Sequence, residues 1–281
     1  MTPQPARKPY PSDLSDARWA LIEPVLTAWR AERQKTSLNL GRKASDLREV
    51  MNAILYVNRT GIAWRYLPHD FPAHTTVFSY FTAWTADGTI EQLGVRLHRL
   101  VREKEGRDPE PTACVIDSQS VKTAHTVPLS TQGIDAGKKI VGRKRSIVVD
   151  TLGLLLLVMV TAASVSDNEA GKQLLTRTAA AHPAITKVWA DTGYKNQTIE
   201  HGAKLGIDVD VVPRNTQVKG FSVLPRRWVV ERSLGWIMMH RRLARDYETK
   251  PENSESMIHL AAISTLAKRA TDETTPTWRD A

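Results

Sequence analysis

The apolar positions of this 281-residue chain change period near residue 110. Before that point they recur at helical spacing. Trp19, Ile22, Leu26 and Trp29 fall three and four residues apart, and Ser12 or Ser15 can cap the helix that carries them. Arg30 to Lys43 is polar and basic, which predicts a loop. Leu47, Val50, Ile54 and Val57 share one face of a second helix that begins near Asp46 and ends at Gly61. A third helix starts at Thr75 or Thr76 and carries Val77, Phe78, Phe81 and Trp84. Asp87-Gly88 breaks it, and a fourth runs over 89–101. These elements predict a compact, tryptophan-rich helical unit.

After the charged stretch REKEGRDPEP the apolar runs shorten to strand length. Strands are predicted over 112–117, 145–150, 154–161, 187–191 and 207–212, with a hairpin at Thr151-Leu152-Gly153. Helices are predicted over 167–181, 196–205, Pro225 to Arg245, and 254–268. Three strands followed by helix-strand-helix-strand-helix predict an α/β, RNase-H-like fold. Its mixed five-stranded sheet carries helices on both faces, and an all-helical N-terminal domain precedes it. The expected division is 1–105 for the helical domain, 106–270 for the catalytic domain and 271–281 for a disordered tail.

Charge adds a partner to this picture. There are 39 Lys+Arg against 30 Asp+Glu, a formal net charge of +9. That balance favours nucleic acid, with a merely solvated basic surface as the alternative. The single cysteine, Cys114, excludes an intramolecular disulfide framework and a Cys-rich zinc site, and its apolar neighbours predict a buried thiol. The N-terminus is polar and Pro-rich, without the apolar core of a secretory signal, and the run over 152–163 is too short to cross a bilayer as a helix. A cytoplasmic protein is expected. His69, His74 and His125 show no metal-ligand spacing.

Three acids stand apart by position. Asp117 ends the first predicted strand, Asp191 ends the fourth, and Glu231 lies early in the long helix. In an RNase-H-like sheet the first and fourth strands are neighbours, so these carboxylates meet. Three carboxylates can hold two hard cations for phosphodiester chemistry. The alternatives are local: a cap for Asp117, an Asx turn for Asp191, and an ion pair of Glu231 with Arg227 one turn earlier. Gly193 suits a sharp turn beside a metal and a phosphate.

The basic residues around these acids predict DNA contacts. Ser118, Gln119, Ser120 and Lys122 follow the first acid. Lys138, Lys139, Arg143, Lys144 and Arg145 read as a glycine-spaced basic loop at a DNA-contacting edge, or as a solvated turn. Arg226, Arg227, Arg232, Arg241, Arg242 and Arg245 crowd the helix of Glu231. Arg227 shares its face and is the candidate phosphate clamp, while Trp228 and Trp236 read as core.

Together these blocks resemble a known family. VIDSQSVKTA, GIDAGKKIVGRKRSIVVDTLGLLLLVMVTAASVSD, VWADTGYKN and RRWVVERSLGWIMMHRRLARDYE are similar to bacterial insertion-sequence transposases of the DDE class, in the family-five group. YPSDLSDARWALIEPVL, DLREVMNAILYVNRTGIAWRYLPHDFP and HTTVFSYF extend the resemblance over about residues 9 to 268. It implies a polynucleotidyl transferase and endonuclease using Mg²⁺ or Mn²⁺, two ions in all, held by Asp117, Asp191 and Glu231. Its partners would be double-stranded DNA, as the element's terminal inverted repeats and the target, with a homodimer or larger assembly on DNA. The protein would be nucleoid-associated when DNA-bound.

Arg227 falls on the arginine of the family's tyrosine-arginine-glutamate-lysine signature. Leu224 and Met238 stand at its tyrosine and lysine positions, which shifts lysine-like contacts to Arg241 or Arg242. Ser146 stands where relatives often carry histidine. The N-terminal unit would recognise the terminal repeats, with Arg42, Lys43, Arg48 and Arg59 as candidates. Two rivals keep the fold: an inactive domesticated DNA-binding copy, and a nuclease without strand transfer.

Overall fold

The computed structural model describes residues 7–36, 44–212 and 227–273. Four helices come first: α1 (Asp16–Thr36), α2 (Leu47–Thr60), α3 (His74–Ala86) and α4 (Thr89–Lys104). The Ser15 hydroxyl accepts the Arg18 N–H at 3.2 Å, and the Asp46 carboxylate accepts those of Arg48 and Glu49, so both helices start on side-chain caps. The expected loop at Arg30 is corrected as far as Thr36. RAERQKT has neither Gly nor Pro and continues α1. Arg42 and Lys43 lie outside the described residues.

The rest is β1 (Ala113–Lys122), β2 (Gly133–Asp135), β3 (Ile140–Asp150), β4 (Leu155–Ala162), α5 (Asp167–Ala181), β5 (Lys187–Ala190), α6 (Gln197–Lys204), β6 (Asp208–Val211), α7 (Trp228–Met238) and α8 (Pro251–Ala270). β3 pairs antiparallel with β1 along one side and with β4 and the short β2 along the other. β1 pairs parallel with β5, and β5 with β6. The order β4-β3-β1-β5-β6 is the RNase-H-like arrangement, with β2 a sixth, unexpected strand.

Two expectations change here. β1 does not end at Asp117. It continues beside β3 to the pair Lys122↔Gly142. The helix expected to reach Arg245 stops at Met238, and His240 is extended (φ −90°, ψ 112°) before a short 3₁₀ turn at Arg241–Leu243. That break sends the Leu243 carbonyl to Arg145 and the Arg242 side chain to Glu248. The start of that helix at Pro225 lies outside the described residues, as do Arg226, Leu224 and the tail beyond residue 273.

Strand alternation divides the core. Val115, Ile147 and Val149 face one cluster, shared with apolar residues of α1–α4, α7 and α8. Cys114, Ile116 and Val148 face the other, with Leu174 and Leu175 of α5. The first cluster is continuous from the helical region to the sheet. In the β3–β4 hairpin Gly153 has φ +79°, and a Cβ there would stand 2.9 Å from Ser233 Oγ. Only glycine lets this turn adopt its shape and lie under α7. Among the described residues no helix is long and apolar enough to cross a membrane.

Candidate active site

The parallel pairing of β1 with β5 ends at Val115↔Trp189. Asp117, inside β1, and Asp191, just past the end of β5, each stand two residues further on, where the two strands have stopped pairing. The Asp117 carboxylate accepts the Ser118 N–H at 2.7 Å, and that of Asp191 accepts the Gly193 N–H at 2.8 Å. α7 brings Glu231 to the same place. Arg227 Nη2 stands 3.9 Å from Asp191 Oδ2 and 3.9 Å from Glu231 Oε1, so one guanidinium spans two carboxylates. Arg227 is 8% exposed, and its Nε finds no hydrogen-bond partner among the described residues.

Burial pushes the Asp117 carboxyl up to about 6, and the neighbouring charge of Asp191 adds to this. The Ser118 N–H, Arg227 and Lys138 oppose it. A carboxylate so placed favours a nearby cation. The donors are all hard oxygens of the kind that hold Mg²⁺ or Mn²⁺, so Asp117, Asp191 and Glu231 fit such ions by chemistry. Among the described residues no three acidic, His or Cys groups are gathered closely enough to hold an ion, and Arg227 supplies the positive charge between two of them.

The expected basic loop is corrected. Lys122, Lys138 and Lys139 are exposed, and Lys138 Nζ lies 3.5 Å from the Ser118 carbonyl oxygen. Arg143, Lys144 and Arg145 instead lie inside β3 and are buried, so they are not a DNA-contacting edge. Arg143 donates to Asp246, to the carbonyls of Glu248 and Thr249, and to Thr131. Arg145 donates to the Leu243 carbonyl at 2.6 Å, and burial lowers its pKa to about 10. Lys144 donates to the Val165 carbonyl and to Asp167. Arg242 is likewise buried, on Glu248 and the Ile62 carbonyl, whereas Arg241 is exposed.

In the helical region Arg48 pairs with Asp16, and Arg59 donates to the Met239 carbonyl. Trp228 and Trp236 do not simply fill the core. They flank the Arg232 guanidinium, whose carbon lies 4.5 and 4.6 Å from the two rings.

Sequence reading passed over Asp167. It opens α5, and its carboxylate accepts from Ser118 Oγ at 3.0 Å and Lys144 Nζ at 2.9 Å. The wholly buried Tyr194 ring lies near Asp117, Asp167 and Asp191, whose charges add to burial in raising its hydroxyl pKa. The available signal was the acid after Ser166, which also suits an ordinary helix start.

An RNase-H-like sheet with one acid inside a central strand, a second just past the end of its parallel neighbour, and a third on the helix that follows the last strand is the arrangement expected of a DDE transposase. Comparison with known proteins agrees. Residues 108–266 match the family described as transposase DDE domain, and residues 14–94 match the putative transposase of IS4/5 family. The insertion element IS402 uncharacterized 16.2 kDa protein of Burkholderia cepacia is 32% identical over 113 residues, which is 39% of this chain and 72% of that protein. A solved structure, the Drosophila P element transposase strand transfer complex, aligns with 68% of this chain at 15% identity and a TM-score of 0.32. The chain spans 47% of that polypeptide, under half its length. The chain belongs to the DDE-domain transposases of insertion sequences.

Proposed function

We propose that this protein moves its own insertion sequence. It binds the terminal inverted repeats, cleaves the DNA at the element's ends, and joins the freed 3′-hydroxyl to target DNA. The carrying observation is the placement of Asp117 and Asp191 at equal distance past the last β1–β5 pair, with Arg227 joining Asp191 to Glu231. Asp117, Asp191 and Glu231 would hold two Mg²⁺ or Mn²⁺ ions. When bound, such ions activate the attacking oxygen and stabilise the leaving oxygen of a phosphodiester.

The chain's own groups do the rest. Arg227 clamps a phosphate beside Glu231. Lys122, Lys138, Lys139 and Arg241 are exposed and steer the DNA backbone, which makes binding salt-dependent. Residues 1–105 read the element's ends and 106–270 carry the chemistry. Both ends must be held together, so the working form is a dimer or larger assembly on DNA.

Cleavage and strand transfer on DNA bearing the terminal repeats, with Mg²⁺, test this reading for wild type and Asp191→Asn. Wild type should cut and join, and the variant should bind but not cut. Binding without cutting by wild type sinks the enzyme reading. Cutting by the variant sinks the site assignment, and cutting without joining leaves a nuclease.

A further inference from the structure

We propose that Asp167 is a fourth acidic residue of the reacting centre, a positioning carboxylate that sets Asp117 and Asp191 relative to each other. The inference rests on the proposed function and adds a residue to it.

Two separate links carry it. The first runs through Ser118. Its backbone N–H is donated to Asp117 at 2.7 Å, while its hydroxyl is donated to Asp167 Oδ1 at 3.0 Å. One residue therefore ties the first acid of the trio to the start of α5. The second link runs across Gly193. A Cβ on that glycine would stand 2.7 Å from Asp167 Oδ2 and 2.9 Å from Asp191 Oδ1. Oxygens of both carboxylates thus crowd one point, and only the absence of a side chain lets the Asp191 turn approach Asp167 this closely. The Gly193 N–H, donated to Asp191 Oδ1, holds that turn in place.

Asp167 can sit among other acids because its charge is matched. Lys144 Nζ lies 2.9 Å from Oδ1, and the Lys144 side chain is only 7% exposed. The same ammonium is donated to the Val165 carbonyl at 2.8 Å, which pins it ahead of α5. Oδ1 is therefore committed to Ser118 and Lys144, while Oδ2 faces the Asp191 side. Tyr194 lies beside the group. It is fully buried, and Asp117, Asp167 and Asp191 all act on its hydroxyl. The Ser118 side chain also faces that hydroxyl and opposes the rise in its pKa. A helix-start acid with a purely local role needs none of these long-range partners. Its own local duty is already met, because Ser166 caps α5 by accepting the Glu169 N–H.

Groups that orient metal-binding carboxylates typically change metal affinity or activity about 10–100-fold when removed. The test compares wild type, Asp167→Asn, Ser118→Ala and Asp167→Glu, all full length. Manganese(II) binding is followed by paramagnetic resonance without DNA, and DNA-end cleavage is measured against Mg²⁺ concentration. Asp167→Asn should weaken manganese binding about tenfold or more and shift half-maximal cleavage to higher Mg²⁺ by a similar factor. DNA-end binding should stay at the wild-type level. Ser118→Ala, which cuts only the first link, should shift both readouts in the same direction by less. Asp167→Glu should recover part of the loss.

The inference is overturned if manganese affinity and the Mg²⁺ requirement match wild type in Asp167→Asn while wild type cleaves. It is also overturned if Asp167→Asn loses activity only in proportion to lost folded protein and Ser118→Ala behaves as wild type. A wild-type protein that neither binds manganese nor cleaves brings down the proposed function itself, and this inference with it.

Discussion

Lys138 and Lys139 stand in solvent in the turn between β2 and β3, while Arg143, Lys144 and Arg145, a few residues along the same segment, are buried. In the sequence they form one basic cluster. In the fold they are two populations in opposite surroundings. The turn cations face outward into solvent. The β3 cations bind carbonyls and carboxylates that come from far along the chain. Arg143 reaches Asp246, Glu248 and Thr249, and Arg145 reaches Leu243, so this strand anchors the segment after α7. Charge density alone does not reveal whether a cation serves a partner or the fold.

The largest test of that contrast is Arg143→Met. It removes the hydrogen bonds to Thr131 and the 240–250 segment, and leaves Asp246 buried. Breaking a buried pair costs about 3–5 kcal/mol, so a large drop in the chemical-denaturation midpoint is expected. A change under about 1 kcal/mol would merge the two populations again.

A smaller effect comes from a base kept neutral among the cations. His240 is buried at the end of α7, and burial, with Arg59 and Lys268 nearby, lowers its pKa to about 3 from an ordinary 6.5. The unfolded chain takes up this proton first. The stability His240 contributes is therefore complete above pH 6.5 and is lost as pH falls from 6.5 toward 3, at up to about 1.4 kcal/mol per pH unit. His240→Gln should show a shallower loss of stability over pH 6.5 to 4.5. Equal slopes in the two proteins would remove His240 as the cause.

The smallest folding effect belongs to the turn. Lys138→Ala with Lys139→Ala should leave stability within about 0.5 kcal/mol. The same double variant should weaken binding to all DNA sequences alike and flatten the salt dependence by about one to two phosphate contacts. A sequence-specific loss, or a fall in melting temperature, would place these lysines with the buried set.

The same contrast explains what could be read in advance. Helix α2, with its Asp46 start and Gly61 end, was legible because apolar period and cap chemistry act locally. The strand order followed from the sequence of strand-like and helix-like runs, and it brought Asp117 next to Asp191. The extension of β1 to Lys122 was not legible, because it depends on β3 continuing beside it. Nor was the end of α7 at Met238, which answers to the needs of Arg145 and Arg242 rather than to helix propensity. Asp167 was hidden for a related reason. Its partners Ser118, Lys144 and Gly193 lie far from it in sequence, and a helix-opening acid has an ordinary explanation of its own.

The continuous core beneath the helical region bears on synthesis. α8 packs against α2 and α4, and Met257, Ile258, Leu260, Ala261 and Ile263 fill the same cluster as Val50, Ile54, Leu93 and Leu97. The N-terminal helices leave the ribosome first, yet the surface that covers them is among the last made. A nascent chain stopped before residue 251 lacks the helix that covers that apolar face. Translation to the far end of the chain thus acts as a checkpoint: the N-terminal helices complete their core only once the C-terminal helix exists.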